Sequence, residues 1–350
     1  GRLPQSDRLP ENVRARLEVT SDSSRTIMRL AFLVRRFNPE SDSHSRTQEY
    51  HLDIGRGTTV LDALIRIKNE CDGSLAVRYS CRSAICGSCA MDINGSEKLA
   101  CRASVRKEWE RHGRVTVAPL RNLPVIKDLV VDMSSFWGKV RDITPWLSTD
   151  AQKSAHATPS PHTLPPESYE FHNVDACIMC GACMAACTVH EVSKGFLGPA
   201  ALAKANRFVA DPREPVGAKR HRLAMLEQDH GIWDCTRCNF CVEVCPKDVQ
   251  PMEAIIRLRR AALKAGLTST GGARHITGFT ELVQQHGRLN EALMPLKIIG
   301  FDLPRFFQVL PLGLAMLRKG KVPNPFASAI PGIARVRSIL TAAKRRSDAR

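Results

Sequence analysis

The chain has 350 residues, 43% of them hydrophobic, 25% charged and only 5% aromatic, with a formal charge of +16. This composition excludes a disordered or fibrous protein and allows two domains plus tails. The excess of Lys and Arg favours anionic partners, whether nucleic acid, phospholipid headgroups or an acidic protein face, without choosing among them.

The opening stretch GRLPQSDRLPENVRARLEVT has charge and proline but no apolar run of the signal-peptide kind, so residues 1–27 are expected to form a polar extension. Between Met28 and Asp53, MRLAFLVRRF and TQEYHLDI read as two strands of a hairpin joined by the polar turn NPESDSHS. The segment TTVLDALIRIKNEC then places Val60, Leu64 and Ile67 on one helical face, with Thr59 and Asp62 as a capping pair. Cys71, at the end of that helix, is expected to be a small buried hydrophobe.

Next come Cys81, Cys86 and Cys89, in the Cys-x4-Cys-x2-Cys spacing of a plant-type 2Fe-2S loop, with Cys101 as the more distant fourth ligand. Such a loop wraps its cluster with amide groups turned toward sulfur, which demands small residues; Ser83, Ala84, Gly87 and Ser88 supply them. Strand, strand, helix and cluster loop predict a β-grasp, ubiquitin-like ferredoxin domain over residues 28–147. After the strand RVTVAPL, the segment VIKDLVVDMSSFWGKV places Ile126, Leu129, Val130, Met133, Trp137 and Val140 at helical spacing, with Trp137 in the core.

Residues 148–168 are rich in Ser, Thr, His and Pro and are expected to be a linker. Residues 169–266 hold two further groups, Cys177, Cys180, Cys183 and Cys187, then Cys235, Cys238, Cys241 and Cys245 followed by Pro246. Each reads Cys-x2-Cys-x2-Cys-x3-Cys, the two-cluster ferredoxin run in which the fourth Cys of each run serves the other cluster. One 4Fe-4S cluster is thereby assigned to Cys177, Cys180, Cys183 and Cys245, and a second to Cys187, Cys235, Cys238 and Cys241. Structural zinc also uses Cys-x2-Cys pairs but normally separates two of them by a longer loop, and disulfides belong to an oxidising compartment. Helices are expected at PAALAKANRFVA and at EAIIRLRRAALKAG, the latter stopping at Gly266 and carrying Arg257, Arg259, Arg260 and Lys264 on a solvated face.

In residues 267–350 apolar and basic segments alternate, with nine Lys or Arg against one Asp from Arg318 onward. Amphipathic helices docked on a partner or a membrane surface, and a merely solvated basic tail, both account for this. The most apolar window, Leu293 to Leu317, is interrupted by Lys297, Asp302, Pro304 and Arg305, so no transmembrane segment is expected. The predicted fold is α+β: a β-grasp ferredoxin domain, a helical two-cluster domain and a basic helical extension.

The order of these groups, with the segments SCRSAICGSCAMDING, LPVIKDLVVDM, PWL, GPAALAKANRFVADPRE and CPKDVQP, resembles the iron-sulfur subunits of succinate dehydrogenase and fumarate reductase from about Met28 to Leu263. The resemblance implies an electron-transfer subunit between an FAD-containing flavoprotein and a quinone-linked membrane anchor. It also implies a peripheral place on the cytoplasmic face of a membrane, and no nucleic-acid partner. No catalytic residue is expected on this chain; GRG at Gly55 to Gly57 does not continue into a dinucleotide fingerprint.

Three departures from the family pattern stand out. Cys238 fills the position that leaves the usual third cluster as 3Fe-4S, so a second 4Fe-4S is expected, with 3Fe-4S as the alternative state. Cys187 is followed by Thr188 where the family has Pro, and VHEVSKGFLGP lacks the tryptophans usually offered to a quinone; His190 lies nearby and is expected at a surface or helix end. The run LPLGLAMLRKGKVPNP resembles the tail of the small heterodisulfide reductase iron-sulfur subunit, implying a partner with CCG motifs. The alternative is the iron-sulfur subunit of another flavin-linked oxidoreductase, such as a thiol-linked fumarate reductase.

Overall fold

The computed structural model describes residues 27–148, 173–300, 303–321, 324, 326 and 328–348. Apart from Ile27 and Ser148, the expected N-terminal extension and linker lie outside the described residues. The described residues form two compact units, one from those within Gly1–Pro215 and Thr236–Ile255, the other from those within Val216–Cys235 and Ile256–Arg350.

The first unit begins with strands β1 (Met28–Arg36) and β2 (Arg46–Ile54), the expected hairpin, paired from Met28 opposite Ile54 to Arg36 opposite Arg46. Strands β3 (Ala90–Ile93), β4 (Ser96–Leu99) and β5 (Val115–Ala118) complete a sheet of order β2-β1-β5-β3-β4, in which β5 lies parallel to β1 and the other pairs are antiparallel. Period-two alternation along β1 sends Leu30, Phe32 and Val34 inward. Helix α1 (Val60–Arg66), continued by a π-helical turn to Cys71, buries Val60, Leu61, Leu64 and Ile67. Each such side chain contributes roughly 1.5–3 kcal/mol. Its start is the expected capping box, with the Thr59 hydroxyl accepting from the Asp62 amide and the Asp62 carboxylate from the Thr59 amide.

Helix α2 (Val105–His112) lies between β4 and β5. After β5 the structure departs from the expected helix: β6 (Val125–Lys127) and β7 (Val130–Val131) form a small antiparallel hairpin, and only Ser134–Asp142 is helical, as α3. Asp128 is the reason. Its backbone takes φ 48°, and its buried carboxylate accepts from Arg36 Nε at 2.9 Å and from the Phe37 and Ala76 amides at 3.0 and 2.8 Å. A carboxylate held this way outweighs the helical periodicity around it, because an ion pair buried with its hydrogen bonds satisfied is costly to break. Within α3 it is Phe136 and Val140 that are buried, while Trp137 is 44% exposed and meets Phe136 edge-on at 5.2 Å; the expected core role of Trp137 passes to its neighbour. Cys71 is likewise exposed at the end of its helical turn.

Among the described residues, six α-helices follow, α4 (Ala182–Ala185), α5 (Thr188–Val192), α6 (Pro199–Val209), α7 (Val216–Leu226), α8 (Phe240–Glu243) and α9 (Pro251–Lys264). Helix α6 has Pro199 in its first turn, where a missing N–H costs nothing. Helix α9 is followed by Gly266, which takes the left-handed φ of 76° that favours glycine. The second unit continues with α10 (Gly271–His286), α11 (Met294–Ile299), α12 (Leu303–Arg318) and α13 (Ile333–Asp348). The fold is thus a mixed β-sheet domain followed by a largely helical region.

Candidate metal centres

The loop from Cys81 to Cys89 turns its amides onto its own sulfurs. Ser83, Ile85 and Cys86 direct N–H groups at Cys81 Sγ at 3.4, 3.3 and 3.2 Å, and the Ala84 amide is 3.3 Å from Cys101 Sγ. To do so, Arg82, Ala84 and Gly87 adopt φ of 57°, 56° and 74°. Concavities of this kind, lined by successive N–H groups, hold anions and sulfur clusters. Hydrogen bonds from the Ser88 side chain and the Cys81 backbone hold the Cys86 thiol down to about 6, whereas burial pushes Cys89 up to about 12.

Gly87 has a second role. A Cβ built there would stand 2.8 Å from Cys180 Cβ, 3.0 Å from Cys180 Cα and 3.0 Å from the Ile178 carbonyl oxygen. The loop of Cys81 to Cys89 and the loop of Cys177 to Cys187 therefore meet closely at a residue without a side chain. Around this contact, Asn122 donates to the carbonyls of Ala185 and Cys187 at 2.9 and 3.3 Å, and Arg102 to that of Pro246 at 3.0 Å.

The two Cys-x2-Cys-x2-Cys-x3-Cys runs repeat in backbone as well as in sequence. Met179 and Gly181 have φ of 54° and 81°; Arg237 and Asn239, at the same places in the second run, have 58° and 72°. Each run then enters a one-turn helix, α4 or α8. Non-glycine residues adopt such angles only where surroundings impose them. The sequence alone reveals the cysteine repeat; the matching left-handed pairs are seen only in three dimensions.

Cys177, Cys180 and Cys183 line a cavity together with Cys245, which arrives from the second run more than sixty residues later, and with Ile178, Met179 and Pro246. Its empty volume, mouth included, is about 380 Å³. Burial pushes the Cys180 thiol up to about 11 and raises Cys177 and Cys183 as well. As free thiols these groups hold their protons at neutral pH, so iron binding here releases protons and is favoured by rising pH. The donor set, soft sulfur in an apolar cup with inward amides, fits an iron-sulfur cluster.

Of the remaining cysteines, Cys187 and Cys241 are buried and Cys238 is exposed. Cys187 caps α5, its Sγ accepting from the His190 amide at 3.5 Å, and Thr188 Oγ1 lies 3.6 Å from Cys238 Sγ. Thr188 and Cys238, both expected to depart from the pattern that the sequence resembles, are thus hydrogen-bond partners. His190, expected at a surface or helix end, is buried at 2% exposure within α5, and burial beside Lys139 and Lys194 lowers it to about 4.

Arg259 corrects another expectation. Arg260 and Lys264 are exposed, as on a solvated face, but Arg259 is 7% exposed. It donates from Nε to the Ile232 carbonyl at 2.8 Å and from Nη2 to those of Trp233 and Cys235 at 3.2 and 2.6 Å, with its guanidinium 5.4 Å from the Trp233 ring centre. A helical wheel does not distinguish a solvated arginine from one that gathers three carbonyls of a loop ending in a cysteine. Replacing Arg259 by Ala is expected to cost about 3 kcal/mol, because those carbonyls lose their donor. Replacement by Lys recovers only part of this. Urea unfolding, read beside the rate of iron loss to a chelator, measures both effects; an unchanged R259A midpoint contradicts them.

A β-grasp sheet with one cysteine loop, followed by a helical pair of four-cysteine runs, defines an iron-sulfur protein with two kinds of ferredoxin module. Residues 31–138 match the family model for a 2Fe-2S iron-sulfur cluster binding domain, and residues 173–249 that for a 4Fe-4S dicluster domain. The chain is 37% identical over 231 residues to the fumarate reductase iron-sulfur subunit of Haemophilus influenzae, covering 63% of this chain and 88% of the relative. It is 39% identical over 234 residues to that of Mycobacterium tuberculosis (67% and 93% covered) and 35% identical over 260 to the succinate dehydrogenase iron-sulfur subunit of Paracoccus denitrificans (72% and 95%). Among solved structures, a chain of the Mycobacterium smegmatis Sdh1 complex in the apo form superposes with TM-score 0.60 at 27% identity, covering 67% of this chain and 96% of that one.

The protein belongs to the family of succinate dehydrogenase and fumarate reductase iron-sulfur subunits and is the iron-sulfur electron-transfer subunit of such an enzyme. It carries one 2Fe-2S module, one dicluster module and C-terminal residues beyond the usual family domain. No helix among the described residues is long and apolar enough to cross a membrane.

Proposed function

We propose that twelve of the thirteen cysteines are cluster ligands, placing three clusters in one chain. Cys81, Cys86, Cys89 and Cys101 hold the 2Fe-2S; Cys177, Cys180, Cys183 and Cys245 hold one 4Fe-4S; Cys187, Cys235, Cys238 and Cys241 hold a second 4Fe-4S. When bound, such clusters accept and release single electrons at potentials set by their type, their hydrogen bonds and their burial. The cavity lined by Cys177, Cys180, Cys183 and Cys245 carries this reading, since spacing alone assigns the exchange of fourth ligands between runs and the same four residues share one cavity.

On this reading the chain's own task is to hold and insulate. The amides of Ser83, Ile85 and Cys86 stabilise anionic sulfur at Cys81, and the Gly87–Cys180 contact keeps the first two centres close. Flavin and dicarboxylate chemistry belong to an FAD-containing partner. Electrons pass onward to a quinone-linked membrane anchor or a CCG-type subunit, with the complex peripheral on the cytoplasmic face of a membrane. The resemblance of the run LPLGLAMLRKGKVPNP to the tail of the small heterodisulfide reductase iron-sulfur subunit supports the CCG-type alternative. Purification of the native complex tests the assignment. An FAD subunit with succinate–fumarate activity and about ten irons per copy of this chain are expected; a complex without such a flavoprotein overturns it.

A further inference from the structure

Helix α12 leaves a series of large apolar side chains in solvent. At 100° per residue, the exposed Val309, Leu312 and Met316 lie on one side with Arg305 and Gln308, and Phe306, Phe307, Leu310, Leu314 and Leu317 fall within an arc of about 100° on another. All five are exposed, Phe307 to 64% and Leu317 to 63%. Helix α13 shows the contrast. Ile333, Val336 and Leu340 are half-buried at helical spacing, and Arg337 donates to the Gln284 and Gln285 carbonyls at the end of α10 at 3.1 and 3.0 Å.

The charge along the apolar stripe and after it has one sign. From Leu303 to Ser347 there are nine Lys or Arg and no Asp or Glu, with Arg318, Lys319 and Lys321 directly at the end of α12. A helix of 16 residues is about 24 Å long, short of a bilayer core, and it is not among the spans that could cross one. An apolar Phe and Leu stripe with Asp302 before it and Arg318, Lys319 and Lys321 after it, in a stretch of strong net positive charge, suits a helix lying in the headgroup region of an anionic membrane.

We propose that α12 and the basic residues after it are a lipid-binding surface through which this chain itself contacts an anionic phospholipid bilayer, with the stripe immersed and Arg318, Lys319 and Lys321 on the headgroups. The proposal does not depend on the cluster assignments, and its readout is separate from electron transfer.

Flotation of the full-length, cluster-loaded chain with equimolar phosphatidylglycerol–phosphatidylcholine vesicles, against phosphatidylcholine alone, is the test. Binding to the anionic vesicles that weakens with salt is expected, with little to the neutral ones. The pair Phe307→Glu and Leu314→Glu should abolish it while the visible cluster spectrum is retained, which reports an intact fold. Exchange of Arg318, Lys319 and Lys321 for Ser should weaken it about a hundredfold, at roughly fivefold per charge. The proposal is overturned if the chain ignores anionic vesicles, binds neutral ones equally, or still binds with the stripe acidified. It is also overturned if the acidic pair leaves vesicle binding unchanged but strips a partner subunit from the purified complex, because the face then belongs to a protein.

Discussion

Exchange of Cys238 for Ala is expected to turn the second 4Fe-4S cluster into a 3Fe-4S cluster, lowering iron from about ten to about nine per chain. An oxidised S = 1/2 signal absent from the parent protein should appear by EPR. On the proposed assignment three thiolates, from Cys187, Cys235 and Cys241, would remain to hold three irons, and the corner assigned to Cys238 would lose its ligand. The physical grounds lie in the backbone. Arg237 and Asn239 bracket Cys238 with the same left-handed angles that Met179 and Gly181 place around Cys180, so Cys238 is presented as Cys180 is. The companion exchange Thr188→Val removes the hydroxyl 3.6 Å from Cys238 Sγ. It should leave the iron count unchanged and lower the reduction potential, because hydrogen bonds to sulfur stabilise the more negative, reduced state. A 3Fe signal already present in the intact parent protein would refute the assignment of Cys238.

Exchange of Gly87 for Ala is expected to destabilise the first unit by about 2–5 kcal/mol. Two costs add. The residue sits at φ 74°, where an L side chain is strained, and the new methyl would lie 2.8 Å from Cys180 Cβ. Backbone atoms form most of that contact, so relief requires the two cysteine loops to separate. Gly95 provides the control, with φ 81° and nothing within 4 Å of the place a methyl would take in the β3–β4 turn. Gly95→Ala should cost only the conformational strain, about 1 kcal/mol. Urea unfolding of both variants isolates the contact as their difference, and equal losses would show that the Gly87–Cys180 approach is not tight.

Much of this organisation was legible in the sequence because its signals are local. The β1–β2 hairpin follows from alternation, the α1 capping box from Thr59 and Asp62, and the end of α9 from Gly266. Cysteine spacing is equally local, since a cluster of fixed size fixes how far apart along one loop its ligands stand. The errors arose where a distant residue overruled local preference. Helical spacing around Leu129 yielded to the Asp128 carboxylate, anchored by Arg36 across 92 positions. Arg259 left its expected solvated face for three carbonyls of the segment entering Cys235, and Phe136 took the core place that periodicity assigned to Trp137.

The sequence by itself determined the class of the protein, because twelve cysteines at ferredoxin spacings admit few other chemistries and spacing survives any rearrangement of the remaining chain. Only the tertiary structure decided how the centres are brought together. That Gly87 lies against Cys180, that Cys245 joins the cavity of Cys177, Cys180 and Cys183, and that Thr188 faces Cys238 are approaches of residues far apart in the chain. Such contacts are set by the packing of whole elements, and no local pattern encodes them.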